Sequence, residues 1–195
     1  ANLLAAKIVT MAHKNDAFKA KDDISCSVIY FREPRKLLIC TGPPYEKDKD
    51  IELASKVTAY EGKVIICGGT TADIIARELN RKIVDELIFE DPELPPESFM
   101  EGIDLVTEGI LTLQKVNEIL KTFNNSVLLG KGPADKIVKL LMESDEIHFI
   151  IGTRINIAHQ DPNLPVELEI RRTVVKRIAR HLEEKWLKKI SFEYI

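Results

Sequence analysis

The chain has 195 residues, 45% apolar and 30% charged, with a net charge of −3. That is enough for one full-sized domain with a core, plus an appendage, and the mixed charge argues against nucleic acid or an anionic membrane as partner. No apolar run approaches the roughly 20 residues of a membrane span, no signal peptide is visible, and three cysteines without close pairing fit a reducing cytosol and a cytoplasmic location.

Apolar residues Leu3, Leu4, Ile8, Met11 and Ala12 fall close to helical spacing, so residues 2–20 read as a helix. The pattern has the chain starting inside that helix, as a piece cut from a longer protein would. "ISCSVIYF" (24–31) alternates and is rich in β-formers, which predicts a strand. Such a segment leaves N–H and C=O groups in need of an edge. It is expected to be ordered, paired either to the domain's own sheet or across a two-fold axis in a homodimer.

Pro34 then breaks the chain and a different rhythm begins. "KLLICTGPP" (36–44) and "KVIICGG" (63–69) are short continuous apolar runs, each followed by a helical pattern, at 47–62 and 71–81. A β-like stretch near Ile83–Phe89 leads to the Pro-rich loop "DPELPPESF" (91–99), and "GIDLVTEG" (102–109) ends another strand. Helices are predicted at 112–123 and at 133–144, with Pro133 suited to a first turn. "EIHFIIGT" (146–153) reads as a strand, a long helix follows from about Val166 to Trp186, and "KISFEYI" (189–195) closes as a strand. Apolar strands alternating with helices predict a three-layer αβα fold on a mostly parallel sheet.

Open α/β sheets bind ligands beyond the carboxyl ends of their strands. Here those ends are Thr41-Gly42, Gly68-Gly69-Thr70-Thr71, Thr107-Glu108-Gly109 and Gly152-Thr153-Arg154, with Asn156 just beyond. Four strands ending in Gly plus Thr predict a crevice of hydroxyls and backbone amides, with Arg154 to pair a bound anion. A plain alternative exists for one of them: Thr70 and Asp73 have the spacing of a capping box, which would satisfy the helix start without a ligand. Glu101, Asp104 and Glu108 would repel a phosphate unless a cation intervenes or a carboxylate takes a sugar hydroxyl. Of these, Glu108 has the functional position and Glu101 reads as a solvated loop carboxylate.

Cys40 and Cys67 precede equivalent turns, so adjacent strands would set them side by side. They read as buried small hydrophobes, with a metal or redox pair as the alternative. His148 reads as core, His159 as a loop residue near the crevice, and His13 and His181 as helix-surface residues.

"AKDDISCSVIYF" (20–31) resembles the last metal-site motif of metal-dependent serine/threonine protein phosphatases of the sporulation stage II protein E type. "TGPP", "GGTTADIIAREL", "EGIDLVTEGILTL" and "FIIGTRIN" resemble the extension after the catalytic domain in clostridial-type members. The resemblance implies that Asp22 is a metal-ligand aspartate in the intact hydrolase, with Asp23 beside it and Ser25 at the Ser/Thr position. It further implies Mn2+ or Mg2+ there and a phosphoprotein substrate through the parent protein. The remaining aspartates of a two-metal site are absent from this chain, so no cofactor and no phosphatase activity are expected of it alone.

The expected organisation is therefore a helix–strand remnant of a phosphatase domain over 1–34 and an α/β regulatory domain over 35–195. The regulatory domain would bind a small phosphorylated ligand. The alternatives are an enzyme domain acting on that ligand with Glu108 as acid/base, and an assembly module without a ligand.

Overall fold

A computed structural model describes residues 1–124, 128–154 and 167–195. The chain divides into two units, Ala1–Glu33 and Pro34–Ile195.

The first unit holds one helix, α1 (Asn2–Asn15). Its apolar residues Leu3, Leu4, Ile8 and Met11 are all exposed, and none of the unit's described residues is buried. The strand expected at 24–31 does not form, and Ile29, Tyr30 and Phe31 are exposed. Alternation marks a face that could be covered, but a strand exists only by hydrogen bonding to a neighbour. The seven strands of the sheet all lie in the second unit.

That unit runs β1 (Lys36–Thr41), α2 (Asp50–Ala59), β2 (Lys63–Cys67), α3 (Gly69–Leu79), β3 (Ile83–Asp85), β4 (Ser98–Met100), β5 (Leu105–Thr107), α4 (Ile110–Thr122), α5 (Pro133–Glu143), β6 (Glu146–Ile151), α6 (Glu167–Trp186) and β7 (Lys189–Tyr194). The sheet order is β3-β4-β5-β2-β1-β6-β7. The five strands from β5 to β7 are parallel, while β4 pairs antiparallel with both β3 and β5. This is the expected three-layer αβα arrangement, with the chain reversing its direction of strand addition between β1 and β6.

The continuous apolar runs follow from burial on both faces. Leu37, Ile39, Ile65, Ile147 and Phe149 face a core built with α4, α5 and α6. The intervening Leu38, Cys40, Val64 and Ile66 face a second core with α2 and α3. In α5, Ala134, Ile137, Val138 and Leu141 are all buried, the i, i+3, i+4, i+7 stripe of a helix packed on one side. Each such Leu or Ile contributes roughly 1.5–3 kcal/mol through removal from water. Helix α3 ends at Asn80, which takes the left-handed conformation with φ of 50° as a C-terminal cap.

Two expectations change. His148 is half-buried, with Nδ1 2.7 Å from the Ser191 hydroxyl and Nε2 3.5 Å from Glu193. The parallel register places polar β7 beside it, with His148 opposite Ser191. The loop expected at 91–99 gives up its last residues to β4, whose short antiparallel pairing carries no periodicity of its own. Among the described residues, no helix is long and apolar enough to cross a membrane.

Candidate functional site

The register of the parallel strands levels their carboxyl ends. Thr107, Cys67, Thr41, Ile151 and Tyr194 pair successively across the sheet in one row. The next position along each of the middle three strands is glycine: Gly68, Gly42 and Gly152. Loops leave the sheet there through hydrogen bonds between neighbours, Gly68 N–H to Thr107 O at 2.8 Å and Gly152 N–H to Thr41 O at 2.9 Å.

Gly68 has φ of 130°, which an L-residue adopts only under strain. It turns the chain into α3 as that helix's N-cap, with no side-chain cap. The capping box expected between Thr70 and Asp73 does not form, because the helix starts at Gly69 and Thr70 already lies inside its first turn. Helix α4 begins the same way, with Gly109 as N-cap and no capping side chain. Both helices therefore present first-turn N–H groups without side-chain acceptors, at the positive end of each dipole. The two N-caps nearly touch: a Cβ on Gly109 would stand 3.4 Å from the Gly68 Cα.

Between the two helix starts lies a cavity of about 220 Å³. Its wall includes Gly68, Gly69, Thr70 and Thr71 from the α3 turn, Glu108 and Gly109 from the α4 turn, and Gly42 from β1. Asp73 and Arg171 complete its charged lining. Thr71 is 1% exposed, and its Oγ1 has no hydrogen-bond partner among the described residues. A buried hydroxyl without a partner costs about 1–3 kcal/mol, which a bound acceptor would offset.

The sequence-predicted residues thus separate. Gly42, Gly68, Gly69, Thr70, Thr71, Glu108 and Gly109 line one cavity. Thr107 lines the adjoining one, and its hydroxyl is taken by the Glu108 carbonyl at 2.9 Å. Thr41 is buried, and its Oγ1 also lacks a partner among the described residues, but it lines neither cavity. Thr153 donates its hydroxyl to Ile195 O at 2.9 Å. Arg154 is bound through its backbone to Pro43 O and lines neither cavity. Asn156 and His159 lie outside the described residues. Of the three acids, Asp104 is at the far end of the sheet, accepting from Val64 N–H at 2.8 Å, which leaves Glu108 at the crevice.

Arg171 is the cation the sequence did not reveal. Its guanidinium lies against the β1 turn, 2.6 Å from where a Gly42 Cβ would stand. It lies near the start of α6, twenty residues beyond the end of β6, so no strand-end motif in the sequence marks it.

Cys40 and Cys67 do not lie side by side. Cys67 pairs with Thr41, and the two thiols point into cores on opposite faces of the sheet. Burial pushes both thiols up, that of Cys67 to about 12 even though a hydrogen bond with Thr107 opposes the shift. Neither offers thiolate at neutral pH. We expect a thiol reagent to titrate only the half-buried Cys26 in the native protein, and all three cysteines after denaturation. Rapid reaction of two or more native thiols would contradict the burial.

Among the described residues, no group of three or more His, Cys, Asp or Glu side chains is placed to hold a metal ion. Asp22 is exposed and accepts from the Asp23 N–H at 2.8 Å.

Fold and crevice together define a doubly wound α/β domain with a cavity at the carboxyl edge of its sheet. Comparison of the chain with protein families, with curated proteins and with solved structures finds no match.

Proposed function

We propose that the Pro34–Ile195 unit binds a small phosphorylated ligand in the crevice between the starts of α3 and α4. The observation that carries this reading is the buried, unpartnered Thr71 hydroxyl beside an α3 N-terminus that no side chain caps. A phosphate oxygen supplies acceptors for that hydroxyl and for first-turn N–H groups. The Arg171 guanidinium adds a charge-assisted donor. Donors outnumber groups able to move a proton, which favours sensing over catalysis. Glu108 is the acid/base that an enzymatic reading would use.

The setting we propose is a regulatory module of a metal-dependent serine/threonine phosphatase, in the cytoplasm. Its support is the resemblance of residues 20–31 to that family's last metal motif, together with an Ala1–Glu33 unit that buries none of its described residues. In that setting Asp22 would hold Mn2+ or Mg2+ only alongside carboxylates this chain does not carry.

Calorimetric titration of the full chain with inorganic phosphate, pyrophosphate and ribose 5-phosphate tests the ligand reading. At least one should bind, and Arg171→Ala should weaken it about tenfold, the loss of one charged hydrogen bond. Arg154→Ala should leave it unchanged. Absence of heat with all three at millimolar concentration would overturn the reading. The phosphatase setting is tested by assay with manganese: background rates are expected, and turnover lost in Asp22→Ala would contradict the incomplete site.

A further inference from the structure

The polar crevice does not stand alone. A second cavity of about 430 Å³ opens beside it, and Gly69, Asp73 and Glu108 belong to the walls of both. The second chamber is chemically unlike the first. Its wall is mainly apolar, with Ile83, Leu87, Phe89 and Pro95 from β3 and the segment between β3 and β4, and it also carries Asp85 and Glu86, which can accept hydrogen bonds from a base. That volume lies within the roughly 300–1,000 Å³ of small-molecule sites.

From one end to the other, three chemistries follow in order. Helix-start amides, the Thr71 hydroxyl and Arg171 suit a phosphate. Two carboxylates at the junction, Asp73 and Glu108, accept hydrogen bonds and repel a second anion. They suit the hydroxyls of a sugar. The apolar chamber, with the Phe89 ring on its wall, suits a flat heterocycle that stacks. We infer that the ligand is a nucleoside 5′-phosphate, with its phosphate at the α3 start, its ribose at Asp73 and Glu108, and its base in the apolar chamber. The inference rests on the phosphate reading above and extends it by the sugar and the base.

The order also accounts for the acids that make a bare phosphate site awkward. An inorganic anion gains nothing from Asp73 and Glu108 and is repelled by them. A nucleotide turns the same carboxylates into acceptors for neutral hydroxyls, with its charge kept on the far side of Gly69.

Titrating the full chain with ribose 5-phosphate and with AMP, GMP, CMP and UMP separates this inference from the one beneath it. At least one nucleotide should bind about tenfold more tightly than ribose 5-phosphate, the gain of stacking one base. Phe89 is 64% exposed, so Phe89→Ala should fold normally. It should reduce the nucleotide's affinity to that of ribose 5-phosphate while leaving ribose 5-phosphate itself unchanged. Leu87→Ala, also at an exposed position, should act in the same direction. Equal binding of ribose 5-phosphate and all four nucleotides would overturn the nucleotide inference and leave the phosphate site standing. A nucleotide preference that survives both substitutions would overturn the placement of the base. No binding by any of the five would overturn both readings.

Discussion

Gly69→Phe is expected to abolish phosphate-ligand binding while leaving the free protein folded. Gly69 is the first residue of α3 and belongs to the walls of both cavities. A Cβ placed there meets only Glu108 Oε2, at 3.9 Å, and its backbone lies outside the left-handed region, so a side chain is tolerated. A first-turn position also loses no intrahelical hydrogen bond. The added ring, however, must occupy the space where the ligand's oxygens would meet the amides. The melting temperature of the free protein should shift by no more than about 4 °C, the scale of 1 kcal/mol in a domain of this size. The rise caused by ligand should vanish. If the variant melts normally and binds as tightly as the unsubstituted chain, the ligand lies elsewhere.

The outline of this site was legible before the fold, and for a physical reason. Glycine and threonine after an apolar run mark a strand that ends in a sharp turn, and in a parallel sheet all such ends share one edge. Thr41, Gly68 and Thr107 could therefore be assigned to a common edge from order alone. What the residue types could not reveal is where each hydroxyl points. Thr107 and Thr153 spend theirs on neighbouring carbonyls, while Thr41 and Thr71 keep hydroxyls without a partner among the described residues, and of these two Thr71 lines the crevice. The cation was misplaced for a related reason. Arg154 sits next to a strand end in sequence, whereas Arg171 lies on α6, twenty residues past β6, and meets the β1 turn only through tertiary packing. The capping box failed because the spacing of Thr70 and Asp73 is satisfied equally by a helix that begins earlier, at Gly69. Residues 24–31 show the opposite limit: alternation and β-propensity were clear, yet neither supplies the partner edge that makes a strand.

Gly152→Ala should be the most damaging single-methyl change in the domain, and it tests the other role that glycine plays at this edge. A Cβ on Gly152 would stand 2.2 Å from both the Gly42 and Pro43 carbonyl oxygens and 2.3 Å from the Gly42 carbonyl carbon. All three are backbone atoms, so no rotamer change relieves the clash. The loops after β1 and β6 must move apart, yet they are held by Gly152 N–H to Thr41 O at 2.9 Å and Arg154 N–H to Pro43 O at 3.2 Å. Relief therefore costs hydrogen bonds as well as packing. Forced overpacking typically costs about 1–3 kcal/mol, and the two threatened hydrogen bonds add about 1 kcal/mol each. We expect a loss of about 3 kcal/mol or more, which corresponds to roughly 10 °C in melting temperature. Urea unfolding of the two proteins measures it, with failure of the variant to fold counting as the same outcome. An unfolding free energy unchanged within about 1 kcal/mol would show that the β1 and β6 loops can separate freely. The switch point would then lack the rigidity that a preformed ligand crevice needs.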